Sequence, residues 1–254
     1  MEFFDIVLLT MALLGVVVFV SLYFVDAGYG KMISRAWGPT LPNRLGWMLM
    51  ESPVFFIVLW LWATSEVRTS LPYLVFLLLF ELHYFHRCFV FPLRLSGRSR
   101  MPVSIVLMSA TFNVINGYIQ GWWLFRLAPQ DGYYDPSWMT SPAFIAGTVI
   151  FLAGMAVNRN SDRIIRDLRA PGDNRHYFPK GGMYNYVTSA NYFGEIVEWL
   201  GWAILTWSTA GALFLWFTCA NLIPRANSIW HKYAEQFPDE FGKARPKRIF
   251  PFIY

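Results

Sequence analysis

The stretch Leu71–Phe91, LPYLVFLLLFELHYFHRCFVF, decides what kind of protein this chain is. It is long and apolar enough to cross the hydrocarbon core of a bilayer, which takes about 20 residues as a helix. It also carries Glu81, His83, Tyr84, His86 and Arg87. Ionisable groups at that depth are expensive and persist where something uses them. The pattern repeats outward from this stretch. Glu51 interrupts the preceding apolar run, and Asn113, Asn116, Gln120, Asn191, Glu195 and Glu198 lie within or beside later ones. A membrane protein that keeps so many such groups in its spans is built for chemistry or transport there.

At 56% hydrophobic and 19% aromatic residues, the chain carries more apolar side chain than a soluble domain of its length needs. Seven candidate spans follow, at roughly 6–25, 46–65, 71–91, 103–126, 141–157, 192–207 and 210–223. The sixth is the least hydrophobic. Only Ser208-Thr209 separates the last two, which form either a hairpin or one long kinked helix. No small-residue cleavage site follows the first run, so it reads as a span and not a signal peptide. No polar segment is long enough to fold alone. The expectation is an all-α polytopic membrane protein with seven transmembrane helices, residues 1–254 forming one integral-membrane domain. Cys88 and Cys219 each sit in an apolar run and belong to no metal-spaced set, so no metal site or disulfide framework is expected.

The net charge of +5 is modest, and its distribution says more than its size. Nothing in it points to nucleic acid. With seven spans, one side of the membrane receives segments 26–45, 92–102, 158–191 and 224–254, with formal charges of +2, +3, +3 and +3. The other side receives the N-terminus at −2, the 66–70 turn at 0 and 127–140 at −2. Positive loops face the cytoplasm. The C-terminus is therefore expected inside, and the N-terminus periplasmic or lumenal. Most intramembrane polarity then falls in the cytoplasmic half. A cavity there would take an apolar substrate from the bilayer and a polar cofactor from the cytosol.

Helical spacing sorts the polar groups. Asn113, Asn116 and Gln120 follow i, i+3, i+7 and share one face. Gly117 and Gly121 follow, allowing close approach of a helix or a ligand. Interhelical amide pairing is an equal alternative for that face. Asn191, Glu195 and Glu198 share a second face. Asn158, Asp162, Arg166 and Arg169 form a third stripe, on a helix leaving the membrane and stopped by Pro171-Gly172. Arginines there can clamp phosphates. A solvated acid–base ladder or anionic lipid headgroups are the other readings. No Rossmann fingerprint, Walker loop, H-E-x-x-H or G-x-S-x-G is present.

Several of these segments resemble the steroid 5α-reductases, membrane enzymes that reduce 3-oxo-Δ4 steroids with NADPH. The likeness runs from GYGK at Gly28–Lys31 to FPFIY at the C-terminus. It is densest in LHYFHR at 82–87, NGYIQG at 116–121, NRNSDRIIRDLR at 158–169 and GGMYNYVTSANYFGEIVEWLGWA at 181–203. The short chain points to a bacterial member in the inner membrane, or to the endoplasmic reticulum if the source is eukaryotic.

The resemblance implies roles. Glu51 and Tyr84 match the pair that faces the steroid 3-keto group, and Trp47, Phe112 and Phe217 match apolar positions around the steroid. Asn158, Asp162, Arg166, Arg169, Asn191, Glu195, Arg225 and His231, with Tyr29 and Arg98, match or adjoin positions that hold NADPH. The partners implied are a steroid-like substrate and membrane lipids, with no nucleic acid and no obligatory protein partner. The competing readings are a polyprenol or enoyl-thioester reductase of the same superfamily, a membrane methyltransferase using S-adenosylmethionine, and a transporter. Broken-helix or inverted-repeat signals that would favour a transporter are absent.

Overall fold

The computed structural model describes residues 2–25, 37–95, 99–168, 173 and 175–254. Among the described residues, eight longer helices and two short strands run in the order α1 (Phe3–Ser21), β1 (Thr40–Pro42), α2 (Asn43–Ala63), α3 (Leu71–Arg94), β2 (Arg100–Pro102), α4 (Val103–Gln130), α5 (Pro142–Asp167), α6 (Ala190–Thr206), α7 (Thr209–Gln236) and α8 (Pro238–Ala244), with short 3-10 turns at Pro136–Thr140 and Gly182–Asn185. Five of them, α1 to α5, are long and apolar enough to cross a membrane. The expected sixth and seventh spans are the helices α6 and α7. With 17 residues, α6 is short for a span, and α7 runs 28 residues but ends in polar sequence. Among the described residues, length and apolarity therefore identify five candidate spans.

The contacts divide the chain into two compact units, Gly28–Ile145 on one hand and Met1–Ala27 with Ala146–Tyr254 on the other. In Gly28–Ile145, α2 and α4 lie side by side and run parallel. A β-carbon on Gly117 would sit 3.1 Å from Val54 Cα, and one on Gly121 would sit 2.7 Å from Leu61 Cδ1. The two glycines thus serve close helix approach, one of the two uses their spacing allowed. Arg126 locks the far end, donating to the Leu61 carbonyl at 3.1 Å and to Thr64 Oγ1 at 2.7 Å. That guanidinium satisfies acceptors at the end of α2, where helical carbonyls lack intrahelical partners. At the near end, β1 and β2 pair antiparallel, Thr40 opposite Pro102. This small sheet is a local feature of a chain that is otherwise helical, in keeping with the all-α membrane expectation. Three-residue strands carry too little pattern to be read from sequence.

In the other unit, α5 and α6 pack antiparallel through four glycines. Gly147 and Gly154 lie seven apart on α5, as do Gly194 and Gly201 on α6. A β-carbon on any of the four would run into backbone of the facing helix, at Leu205, Glu198, Asn158 and Phe151 respectively. Between α6 and α7, Trp207 adopts a left-handed backbone (φ 44°) and Ser208 Oγ caps α7 by accepting from Gly211 N–H at 3.0 Å. The chain therefore makes a hairpin and not a kinked rod. Trp199 meets Phe214 across it at 4.3 Å between ring centres. Cys88 and Cys219 are both free thiols, one in each unit.

Candidate active site

In Gly28–Ile145, the third span places Tyr84 on the buried stripe Phe76, Leu77, Phe80, Glu81, Tyr84, Cys88. Its ring packs on Phe80 at 4.8 Å and on His83 at 5.0 Å. A π-helical turn, His86–Val90, begins two residues later. Such turns shift the face a helix presents and recur at functional sites.

The amide face of α4 meets this tyrosine and Glu51. Asn116 Nδ2 donates to Tyr84 Oη at 3.2 Å, and Gln120 Nε2 donates to Asn116 Oδ1 at 3.5 Å. Asn113 Nδ2 donates to the Met50 carbonyl at 2.7 Å and to Glu51 Oε2 at 3.1 Å. Each of the two expected polarising groups is thus held by its own asparagine, one helical turn apart. The direction of these bonds matters. A phenol oxygen that accepts from Asn116 must aim its own proton elsewhere. A carboxyl that accepts on Oε2 presents Oε1 as its second oxygen. The amide face of α4 thus brings a phenol and a carboxyl from two other helices together.

Trp47, expected beside an apolar substrate, packs against Phe91 at 5.0 Å, and the Arg87 guanidinium lies over both rings, at 4.6 and 5.0 Å from their centres. Phe112 is half-buried on α4, in the same unit as Trp47. Phe217 is half-buried on α7, in the other unit.

In that other unit, the glycine contacts of α5 and α6 bring the second polar set together. Asn158 Nδ2 donates to the Asn191 carbonyl at 2.9 Å and to Glu195 Oε2 at 3.4 Å, while Asn191 Nδ2 donates to Asp162 Oδ1 at 3.2 Å. Gly194 is what lets Asn158 approach so closely. Arg225 of α7 stacks over Tyr192 at 5.6 Å, joining the start of α6. Tyr184 lies beneath this cluster, 2% exposed. Burial, with the charge of Asp162 nearby, pushes its phenol well above the ordinary range.

Arg166 turns away from the cluster and pairs with its neighbour Asp167 at 3.1 Å. His231 is exposed and packs edge-on against Trp230. Tyr29, Arg98 and Arg169, and the helix stop expected at Pro171-Gly172, lie outside the described residues. In the following loop, hydrogen bonds from Arg175 and Tyr177 hold the Asp173 carboxyl well below the usual carboxylate range.

Sequence reading missed the clamp on the 186–189 segment. Thr188 and Ser189 N–H donate to the Lys247 and Arg248 carbonyls at 2.9 and 3.2 Å, and Lys247 N–H returns to the Tyr186 carbonyl at 2.8 Å. Arg248 lies between the rings of Trp230 and Tyr254, at 4.4 and 4.9 Å, and donates to Asn227 Oδ1 at 2.7 Å. The signal in the sequence was the apolar tail after a basic run, which pins the entry to α6.

Residues 99–254 match the family described as 3-oxo-5-alpha-steroid 4-dehydrogenase. The steroid 5-alpha-reductase DET2 of Gossypium hirsutum is 38% identical over 255 residues, covering 99% of this chain and 97% of that protein. The DET2 protein of Arabidopsis thaliana is also 38% identical, over 258 residues, with the same coverage of both chains. The 3-oxo-5-alpha-steroid 4-dehydrogenase 1 of Homo sapiens is 36% identical over 242 residues, covering 94% of this chain and 91% of that protein. A likeness of this extent on both sides, together with a helical membrane architecture, places the chain in the 3-oxo-5-alpha-steroid 4-dehydrogenase family of oxidoreductases.

Proposed function

We propose that this protein reduces the Δ4 double bond of 3-oxo-Δ4 steroids to 5α-steroids, with NADPH as reductant and Tyr84 and Glu51 polarising the C3 oxygen. The observation that carries the reading is the pair of bonds Asn116–Tyr84 and Asn113–Glu51, which prepare two donors for one oxyanion. When bound, NADPH supplies the hydride that C5 of the enone accepts. As that bond forms, negative charge moves to the C3 oxygen, where the Tyr84 O–H and a protonated Glu51 donate, and the enolate then takes a proton at C4 to give the 5α-ketone. Each such donor lowers the barrier by about 2.7–4 kcal/mol.

The donor set around Asn158 fits a dinucleotide. The Asp162 and Glu195 carboxylates can accept from ribose hydroxyls, the Asn158 and Asn191 amides can pair with polar groups of the cofactor, and Arg225 offers a cation to phosphate. Arg169 is assigned to phosphate on the resemblance alone. We read α6 and α7 as the sixth and seventh spans, with the N-terminus outside and the C-terminus cytoplasmic. The antiparallel succession of α5, α6 and α7 supports that reading, as does the loop charge pattern.

The test is product analysis after incubating the purified protein with NADPH and a panel of 4-ene-3-ketones. The expected products are 5α-reduced ketones. Absence of reduction across the panel, with turnover of a polyprenol or an enoyl thioester instead, would move the assignment within the superfamily. Transfer of label from S-adenosylmethionine would overturn it altogether.

A further inference from the structure

The chain ends in a tight loop whose root and tip behave differently. At the root, Ile249 is fully buried against Ile196, Leu222 and Ala226. Ile249 and Phe250 N–H both donate to the Tyr254 carbonyl at 2.9 Å, closing the loop on itself. At the tip, Phe252 and Ile253 are 79% and 82% exposed. Phe252 sits at φ +66°, a conformation that non-glycine residues rarely adopt. A backbone constrained this way holds two large apolar side chains outward when a relaxed turn would let them fold back. Tyr186, itself exposed, packs edge-on against Phe252 at 5.5 Å.

Two observations say what covers this tip. The first is position. The α1 helix exposes Leu9, Leu13, Leu14, Val16, Val17 and Val20, as a helix surrounded by lipid does. Its 19 residues correspond to about 28 Å, close to the thickness of the hydrocarbon core. Tyr23, just past its end, hydrogen-bonds through its hydroxyl to that of Tyr254 at 3.4 Å. The terminal loop is thereby pinned at the level where the first span leaves the bilayer core, beside the exposed Phe24 and Val25. The second is charge. The segment leading into the loop, KARPKR at 243–248, carries four basic residues and no acid. Arg248 is engaged internally, whereas Lys243, Arg245 and Lys247 are exposed. Aromatic and aliphatic side chains flanked by cations are the chemistry of an interfacial anchor on anionic lipid.

We propose that residues 249–254 form an interfacial membrane anchor. Phe252 and Ile253 enter the boundary between headgroups and acyl chains, and Lys243, Arg245 and Lys247 meet anionic headgroups. Because the same tail clamps Thr188 and Ser189 at the entry to α6, the anchor also sets the level at which that helix starts relative to the bilayer surface.

The experiment uses the full chain in nanodiscs of phosphatidylcholine with phosphatidylglycerol. An environment-sensitive fluorophore is attached at Ile253→Cys in a Cys219→Ala background, with Gly242→Cys on the exposed face of α8 as comparison. Lipids brominated high on the acyl chain should quench the label at 253 several-fold more than the label at 242, and aqueous iodide should do the reverse. Equal lipid quenching at both positions would overturn the proposal. So would shielding of position 253 from both quenchers, which would mean that protein covers the tip. Labels that prevent folding are recognised by loss of the monodisperse chromatographic peak. In that case Phe252→Asp with Ile253→Asp replaces them. The pair should lower the thermal midpoint in anionic nanodiscs and leave it unchanged in detergent, and an equal drop in both would reject the anchor.

Discussion

Asn116 donates to the phenolic oxygen of Tyr84 across 3.2 Å, and its own carbonyl oxygen is held by Gln120. The second bond orients the first, because an amide whose oxygen is occupied has its nitrogen turned toward the tyrosine. On the proposed mechanism, Asn116 is a positioning residue for the Tyr84 hydroxyl. Asn116→Leu should lower kcat for enone reduction by about tenfold, the worth of one buried hydrogen bond. Tyr84→Phe should lower it by roughly 10²–10³. The telling measurement is the double variant. If Asn116 works through Tyr84, adding Asn116→Leu to Tyr84→Phe costs little more, whereas fully additive losses would show an independent role.

Glu51 accepts from Asn113 on Oε2, so an amide replacement can keep that bond and turn its NH2 outward. Glu51→Gln should therefore retain more activity than Glu51→Ala. The alanine variant should lose about 2.7–4 kcal/mol of barrier lowering. Equal loss in the two variants would mean that the charge or proton of the acid, and not a donor at its position, is what the reaction uses.

The cluster of Asn158, Asp162, Asn191 and Glu195 predicts a division between the two substrates. Asn191→Ala removes the bond to Asp162. It should raise the KM for NADPH about tenfold, as loss of a hydrogen bond to a charged group does, with little change in the steroid KM. Steady-state kinetics with each substrate varied in turn decides this. A selective rise in the steroid KM would place the cofactor elsewhere.

The glycine contacts of α5 and α6 predict which small substitutions the fold refuses. A methyl at Gly201 would run into Phe151 backbone, and backbone cannot rotate aside as a side chain can. Gly201→Ala should cost about 3 kcal/mol, the upper end of the typical overpacking range. Gly242 in α8 meets nothing within 4 Å, so Gly242→Ala should be neutral or stabilising by up to ~1 kcal/mol. Thermal unfolding in detergent compares the pair directly.

Glu81 is 9% exposed, and neither of its carboxyl oxygens has a hydrogen-bond partner among the described residues. Replacing such a group with an apolar one of similar size removes a desolvation penalty. Glu81→Leu should raise stability by about 1–3 kcal/mol. A drop in the thermal midpoint would show that the acid is paired in the working protein.

Much of this was legible from one sequence. The apolar runs located the five helices long and apolar enough to cross a membrane, and the helices α6 and α7 besides, because a span must satisfy its backbone internally and stay apolar along most of its length. Periodicity also put Asn113, Asn116 and Gln120 on one face, and Asn191 and Glu195 on another. It could not say what those faces met. The structure shows the amide face of α4 bonding to neighbouring helices, Asn113 to Met50 and Glu51 and Asn116 to Tyr84. Only the packed α2 and α4 show that Gly117 and Gly121 admit a helix and so carry Asn113 to Glu51.

Likewise the stripe Asn158–Asp162–Arg166 was continuous by spacing, yet the structure divides it. Asn158 and Asp162 meet α6, while Arg166 turns to its neighbour. The terminal clamp and the three-residue strands escaped reading because their bonds join segments distant in sequence through backbone groups that every residue carries. The sequence by itself determined where helices form and which of their faces are polar, since those follow from local periodicity and the cost of polar groups in lipid. Which face meets which was decided only by tertiary packing, since it depends on where glycine lets two backbones come close enough for short side chains to reach across.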